Sequence, residues 1–244
     1  MQGFADIHIH VVPGVDDGAR SVEEAVAMIR RETEQGAATV IATPHSFACD
    51  YGSDLVRQRF RELERAVKAA RLPVSLYLGC EVAIWPDTAE ESARKLLRGV
   101  YPTMAGSRYA MIEFDPRRHS QADAELCAGK ILAAGLIPIV AHAERYHLTS
   151  LEGARRLREM GAKIQINVYS VQSERKDWIR ANARGLLTER LVDLIGTDSH
   201  RLDHRPPEIA ADVAALEELV GPDYARQIGI EAPAVIVRAG QQER

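Results

Sequence analysis

The chain reads as an α/β protein in which seven parallel strands close into a barrel or barrel-like sheet. Three observations predict this. Short apolar segments alternate seven times with amphipathic helical segments, the order that parallel strands joined by right-handed crossovers require. The strand segments are continuous apolar runs rather than alternating ones, as in a sheet covered on both faces. Histidine, aspartate and glutamate recur directly after those runs, where a barrel gathers its strand ends on one face. An open doubly wound sheet is the alternative topology, although no G-x-G-x-x-G follows the first strand to mark a dinucleotide site.

Strand one, Phe4 to Ile9, carries Asp6-Ile7-His8-Ile9-His10 and runs into Pro13-Gly14-Val15-Asp16-Asp17-Gly18. Residues two apart on a strand share a face, so His8 and His10 project together. Ser21-Val22-Glu23-Glu24 is a capping box opening a helix with Val22, Val26 and Ile29 on one face, and Gly36 ends it. Strand two is Ala38 to Ala42, with Thr43-Pro44-His45 at its end. A longer loop to Ser53 precedes a helix with Val56, Phe60, Leu63 and Val67 at helical spacing. Strand three, Val74 to Gly79, ends at Cys80-Glu81, and a helix from Asp87 to Leu97 stops at Gly99.

Strand four, Tyr109 to Ile112, ends at Glu113. A helix from Ala122 to Ala134 closes at Gly135, and strand five, Ile137 to Ala141, ends at His142. The helix Leu151 to Met160 closes at Gly161 before strand six, Lys163 to Val168. A helix from Asp177 to Arg184 leads to strand seven, Leu191 to Ile195, followed by Gly196-Thr197-Asp198-Ser199-His200. Closing helices are expected over Glu208 to Val220 and Asp223 to Ile230, with a polar, frayed tail from Arg238. No linker or shift in composition divides the 244 residues, which read as one domain, 1–244.

Composition narrows the function. A hydrophobic fraction of 46% and a charged fraction of 27% describe a soluble globular chain. A net charge of -4 gives no basic footprint for nucleic acid. The first residues lack a secretory signal, and the apolar stretch from Ile131 to Ala141 is too short to span a bilayer. Cys49, Cys80 and Cys127 suit a reducing, cytoplasmic compartment. None is followed six positions later by arginine, so a Cys-x5-Arg phosphate loop is absent.

Six of the seven strands deliver a potential ligand at the same topological position. These are His8 and His10, His45, Glu81, Glu113, His142, and Asp198 with His200; Asp16 or Asp17 joins them from the loop behind strand one. Nine donors exceed what one ion needs, so two or three divalent ions are expected. Mixed imidazole and carboxylate donors suit Mn, Fe, Zn or Co better than Ca. Cys80 adjoins Glu81 and should face the other way. Such centres make hydroxide from water at neutral pH and neutralise phosphoryl oxygens. Arg145 and Arg205 stand close enough in sequence to clamp a phosphate, though each alone also fits a solvated surface charge.

Asp6-Ile7-His8-Ile9-His10 with Pro13 to Gly18, Ala42-Thr43-Pro44-His45, Glu81, Val140 to Tyr146 and Gly196 to His200, in this order, resemble the polymerase and histidinol phosphatase (PHP) superfamily. Within it, the Pro13 to Gly18 loop, His142-Ala143-Glu144-Arg145-Tyr146 and His204-Arg205-Pro206-Pro207 are most similar to the CpsB/CapC-type tyrosine-protein phosphatases. The resemblance spans Phe4 to about Pro207. It implies a distorted (β/α)7, TIM-like barrel with a trinuclear, usually manganese, site at the C-terminal ends of the strands. It places metal-ligand roles on His8, His10, Asp17, His45, Glu81, Glu113, His142, Asp198 and His200, and so favours Asp17 over Asp16. Arg145 and Arg205 take phosphate-binding roles. The implied reaction is hydrolysis of phosphotyrosine in a protein, the tail of a bacterial tyrosine autokinase that controls capsule or exopolysaccharide synthesis. One departure is Ser46, where members often carry a second histidine, beside an individual segment from Phe47 to Ser53.

For the mechanism, in-line displacement needs little protonation of a tyrosyl leaving group, whose pKa is about 10. His200, a neighbouring metal or water is the candidate general acid. Rival readings are a histidinol-phosphate or other small phosphoesterase, an amidohydrolase lacking its bridging lysine, and a non-catalytic metal-binding scaffold. Trp85-Pro86 fits either stacking on a substrate ring or packing under a loop. His119, His147 and His204 read as exposed residues or as neighbours of the ligands. Arg117-Arg118-His119 forms a small basic patch suited to guiding an acidic peptide.

Overall fold

The computed structural model describes residues 1–146, 150–172 and 177–242; His147 lies outside them. The strands are β1 (Phe4–Ile9), β2 (Ala37–Ala42), β3 (Ser75–Leu78), β4 (Glu81–Ala83), β5 (Tyr109–Glu113), β6 (Ile137–Val140), β7 (Lys163–Asn167) and β8 (Leu194–Gly196). All pair in parallel, as a sheet β1-β2-β3 and a sheet β4-β5-β6-β7-β8. Spatial order follows chain order without reversal, which sets aside the doubly wound alternative. The two sheets meet because β3 and β4 are one stave in two pieces. At the other seam Asp198 N donates to His8 O at 2.6 Å and His10 N to Ser199 O at 2.8 Å. Seven staves therefore surround a common interior, joined between β8 and β1 at the C-terminal rim rather than by a full ladder.

The expected third strand, Val74 to Gly79, is thus broken, and Glu81 opens β4 instead of closing a strand. The space at the break is tight: a Cβ on Gly79 would lie 2.8 Å from Met104 Sδ and 3.2 Å from Ile41 Cγ2, so a larger residue would force neighbours to shift. The break turns Cys80 toward the outer core, where it sits buried with Cys49, and aims Glu81 inward.

Helices cover the outside: α1 (Val22–Glu34), α2 (Ser46–Ala69), α3 (Ala89–Leu97), α4 (Gln121–Ala133), α5 (Leu151–Met160), α6 (Asp177–Thr188), α7 (Ala210–Val220), α8 (Pro222–Arg226) and α9 (Ala232–Gln242). Ser21 caps α1 by accepting from Glu24 N at 3.2 Å. Ser120 and Asp123 form a capping box on α4. Two expectations are corrected here. The loop expected up to Ser53 is helical from Ser46, with Gly52 (φ -180°, ψ 73°) bending α2; Ala48 and Cys49 pack inward and stabilise it. Residues 238–242 of the tail belong to α9, in which Ile236 and Gly240 are buried, Ile236 against the barrel floor; 243–244 lie outside the described residues. Strand seven also starts later than expected, at Leu194.

Two apolar layers result. The outer one lies between strands and helices and includes Phe4, Val40, Leu63, Ile112, Ile131 and Leu186. The inner one fills the N-terminal half of the barrel with Ile7, Ile41, Met104, Met111, Ile139 and Ile236. None of the described helices is long and apolar enough to cross a membrane.

Candidate metal centre

Above that inner floor the interior becomes polar. His8 and His10 are fully buried on β1 with ring centroids 5.6 Å apart. Glu81 stands between them and the next staves. Its Oε1 is 3.2 Å from His8 Nε2 and 2.7 Å from His142 Nε2; its Oε2 is 3.3 Å from His10 Nε2 and 3.1 Å from His45 Nδ1. Asp198 Oδ1 lies 3.7 Å from His8 Nε2 and 3.5 Å from His10 Nε2. Asp17 Oδ1 lies 3.4 Å from His45 Nε2 and 3.5 Å from His200 Nε2. Glu113 reaches His45 Nδ1 at 3.4 Å and His142 Nε2 at 3.8 Å.

These atoms form three overlapping groups in which one donor per residue lies within 4.8 Å of the others: His10-Asp17-His45-His200, His8-His10-Glu81-Asp198, and His45-Glu81-Glu113. His142 flanks the third group through Glu81 and Glu113. His8 Nε2, His10 Nε2 and Glu81 Oε2 are buried without a hydrogen-bond partner. Orphaned buried donors and acceptors are costly, so a cluster of them aimed at one point fits divalent cations.

The electrostatics agree. Burial disfavours the charged rings of His8 and His10, yet nearby carboxylates outweigh it and raise both: Glu81 and Asp198 for His8, and Asp16, Asp198 and Glu81 for His10. His45 is likewise raised, because hydrogen bonds to Asp17, Glu113 and Glu81 overcome its burial. His200 goes the other way, pushed down to about 3 by burial and by the positive charge of His10 and Arg205. Its Nδ1–H donates to Asp198 O at 2.9 Å, and Arg205 Nη2 donates to its Nε2 at 3.2 Å. His200 is therefore neutral near pH 7.

Both arginines grip Asp198. Arg145 Nη2 is 2.5 Å and Arg205 Nη1 2.8 Å from Asp198 Oδ2, at the mouth of the barrel. His142, Asp198 and Arg205 hold φ values of 34°, 53° and 51°, a left-handed conformation costly for residues with a side chain. Such strain concentrates where function fixes geometry. Gly196 permits the approach of β8 to β1, since a Cβ there would sit 2.6 Å from His8 Cβ.

Several residues were not anticipated. Asp16, left open beside Asp17, is the orienting carboxylate: it accepts from Gly18 N and His45 N and sits 3.0 Å from His10 Nδ1. Tyr146 OH accepts from Phe114 N and lies 2.9 Å from His142 Nδ1, so that ring presents Nε2 to Glu81. The stave without a predicted ligand, β7, contributes Gln165, which accepts from His142 N at 2.7 Å, and Asn167, which donates to Asp198 Oδ2 at 3.2 Å. Tyr169, just beyond β7, bonds Arg145 through its hydroxyl. Buried Glu144 ties this turn down by accepting from Asn167 N and Ser170 Oγ. Polar residues at 165, 167 and 169 of an apolar segment were the available signal.

Other sequence candidates fall outside the cluster. His119 is buried rather than exposed, accepting from Asp115 N and packing 4.6 Å from the Trp85 ring. Arg118 covers the same ring at 4.9 Å, so Trp85 packs under its loop. His204 is exposed, edge-on to His200 at 6.5 Å.

The family model of capsular polysaccharide synthesis, CpsB/CapC, matches residues 4–238. The chain belongs to this family. As a CpsB/CapC chain it is similar to tyrosine-protein phosphatase CpsB of Streptococcus pneumoniae, with 29% identity over 241 residues covering 95% of this chain and 97% of that protein. One chain among the crystal structures of YwqE from Bacillus subtilis and CpsB from Streptococcus pneumoniae, unique metal-dependent tyrosine phosphatases, matches with a TM-score of 0.83 at 24% identity. It covers 96% of this chain and 94% of that one. The fold reaches beyond CpsB/CapC: the phosphotriesterase homology protein of Escherichia coli, solved with phosphate in its active site, gives a TM-score of 0.60 at 12% identity, covering 97% and 99%.

Proposed function

We propose that this CpsB/CapC chain, acting as one domain over 1–244, is a cytoplasmic metal-dependent protein-tyrosine phosphatase. Its substrate on this reading is the phosphotyrosine-bearing tail of a bacterial tyrosine autokinase in capsule or exopolysaccharide synthesis. The carrying observation is the set of three overlapping donor groups around the orphaned His8 Nε2, His10 Nε2 and Glu81 Oε2. His8, His10, Asp17, His45, Glu81, Glu113, His142, Asp198 and His200 would hold up to three divalent ions; the donors suit Mn, Fe, Zn or Co, and the resemblance to CpsB/CapC phosphatases favours Mn2+, with Mg2+ a further alternative. When bound, such ions supply Lewis acidity and a nucleophile at neutral pH.

The remaining steps belong to the side chains. Asp16 holds the His10 ring through Nδ1 and leaves Nε2 facing the cluster. Arg145 and Arg205 carry five donors each; those not committed to Asp198, Tyr169 or His200 would bind phosphoryl oxygens and balance their charge. The neutral His200 suits a ligand better than a proton donor. A tyrosyl oxygen, with a pKa of about 10, can leave without a dedicated acid.

The test uses chelator-stripped protein with Mn2+ restored, assayed on p-nitrophenyl phosphate, a phosphotyrosyl peptide and histidinol phosphate. Metal-dependent hydrolysis of the first two, lost in His142→Ala and Arg145→Ala, is expected. Metal-loaded protein that turns over only histidinol phosphate, or nothing, would sink the assignment.

A further inference from the structure

Nine large hydrophobic residues are exposed among the described residues, and three of them fall within one stretch beginning two positions after His45. Phe47 is 46%, Tyr51 91% and Leu55 47% exposed; the first two lie on the start of α2 ahead of the Gly52 bend, and Leu55 three residues beyond it. Exposed apolar side chains are ordinary when scattered, whereas grouped ones mark a contact surface. This group continues the candidate metal centre. The Phe47 ring stacks on His45 at 5.4 Å with the planes 24° apart, and His45 is 4.5 Å from His10. Ser46, between them, accepts from Ala83 N at 3.2 Å, which fixes the start of α2 to β4. Phe47 and Tyr51 belong to the individual segment from Phe47 to Ser53, and Leu55 follows it.

We infer that Phe47, Tyr51 and Leu55 form a docking ledge for the residues flanking the phosphotyrosine of a protein substrate, and that it takes apolar rather than acidic flanks. This rests on the phosphatase reading of the same site. A phosphoryl group held by the cluster leaves the tyrosine backbone outside the mouth, over the rim where Phe47 and Tyr51 stand. One helical turn separates those two by about 6 Å along the axis. Alternate residues of an extended chain are about 6.6 Å apart. Two same-face side chains of an extended substrate can therefore meet both. Charge decides which side chains. Between Ser46 and Val56 the sequence has no lysine or arginine but has Asp50 and Asp54. Asp50 is balanced by Lys95 and bonded by Tyr101, which among the described residues leaves Asp54 as the uncompensated charge of the segment. The ledge thus offers apolar area and residual negative charge, and an acidic flank would be repelled.

The experiment compares p-nitrophenyl phosphate with two phosphotyrosyl peptides, one with leucine and one with glutamate two residues either side of the phosphotyrosine. Metal-loaded wild type, Tyr51→Ser and Leu55→Ser are assayed, with size-exclusion mass recorded for each. Wild type should prefer the leucine peptide. Each variant should lose about five- to tenfold in kcat/KM on it, chiefly through KM, with p-nitrophenyl phosphate unchanged. Unchanged peptide kinetics in active variants overturn the ledge alone, and do so equally if the variants instead change assembly mass, which would assign the patch to a second copy of the chain. A glutamate peptide cleaved as well as the leucine one overturns the claimed preference. Metal-loaded wild type inactive on all three overturns the phosphatase reading and this inference together.

Discussion

The two halves of the barrel interior are built by the same strands and are chemical opposites. On β1, Ile7 joins the apolar floor, and one residue later His8 is buried among carboxylates. On β5, Met111 lies in the floor and Glu113 at the rim. The floor has no polar demand to meet and is stabilised by packing. The upper half buries Glu81, Asp198 and four histidines, and leaves ring nitrogens without partners. Floor and rim therefore carry separate loads: stability below, chemistry above.

That separation can be broken most severely at Glu81, which touches His8, His10, His45 and His142 together. Glu81→Gln should lower turnover by more than about a hundredfold, beyond the usual effect of a supporting residue, with less metal retained by elemental analysis. Asp16→Asn, which disturbs the orientation of His10 and the backbone bond to His45, should weaken Mn2+ binding by about ten- to a hundredfold in a calorimetric titration. Below, Met111→Ala should destabilise the fold by about 2–5 kcal/mol in urea unfolding, while turnover per folded molecule stays near wild type. A variant of the floor that lost metal without losing stability would break the division. Smallest is Tyr169→Phe, which removes one hydrogen bond to Arg145; KM for phosphotyrosyl peptide should rise by about fivefold, the worth of one such bond, with metal content unchanged.

Acidity sharpens the same comparison. His8 and His10 have pKa values above the unfolded value of 6.5 in the chelated protein, through the carboxylates named above. A raised value means that these protons stabilise the fold fully below pH 6.5, and that this stability is lost as pH rises through the raised values. Chelated protein should therefore show a falling Tm contribution as pH rises above 6.5. With Mn2+ the trend should reverse, because the same rings bind metal only after losing their protons. Parallel Tm curves with and without Mn2+ would count against the rings as ligands.

Much of this was legible in the sequence because barrel strand ends have a fixed address. His8, His10, His45, His142, Asp198 and His200 could be placed together from strand order alone. What escaped depended on contacts between distant segments. The crowding at Gly79 involves Met104, twenty-five positions away, and no local pattern announces the break there. The helix at Ser46 was masked by Gly52, which reads as a loop residue until Ala48 and Cys49 are seen to be buried. Gln165, Asn167 and Tyr169 were visible as polar residues, but their bonds to His142, Asp198 and Arg145 required the neighbouring stave.

The seam between β1 and β8 has a consequence for how the chain comes into being. His8 and Asp198 are joined across nearly the whole sequence, and Ile236 completes the floor still later. During synthesis the early strands would wait with their inner faces open until the last helices emerge. Closure of so long a loop is slow, and exposed strand edges in the interval invite aggregation. Truncation within α9 should thus harm the yield of soluble protein before it touches any residue at the rim.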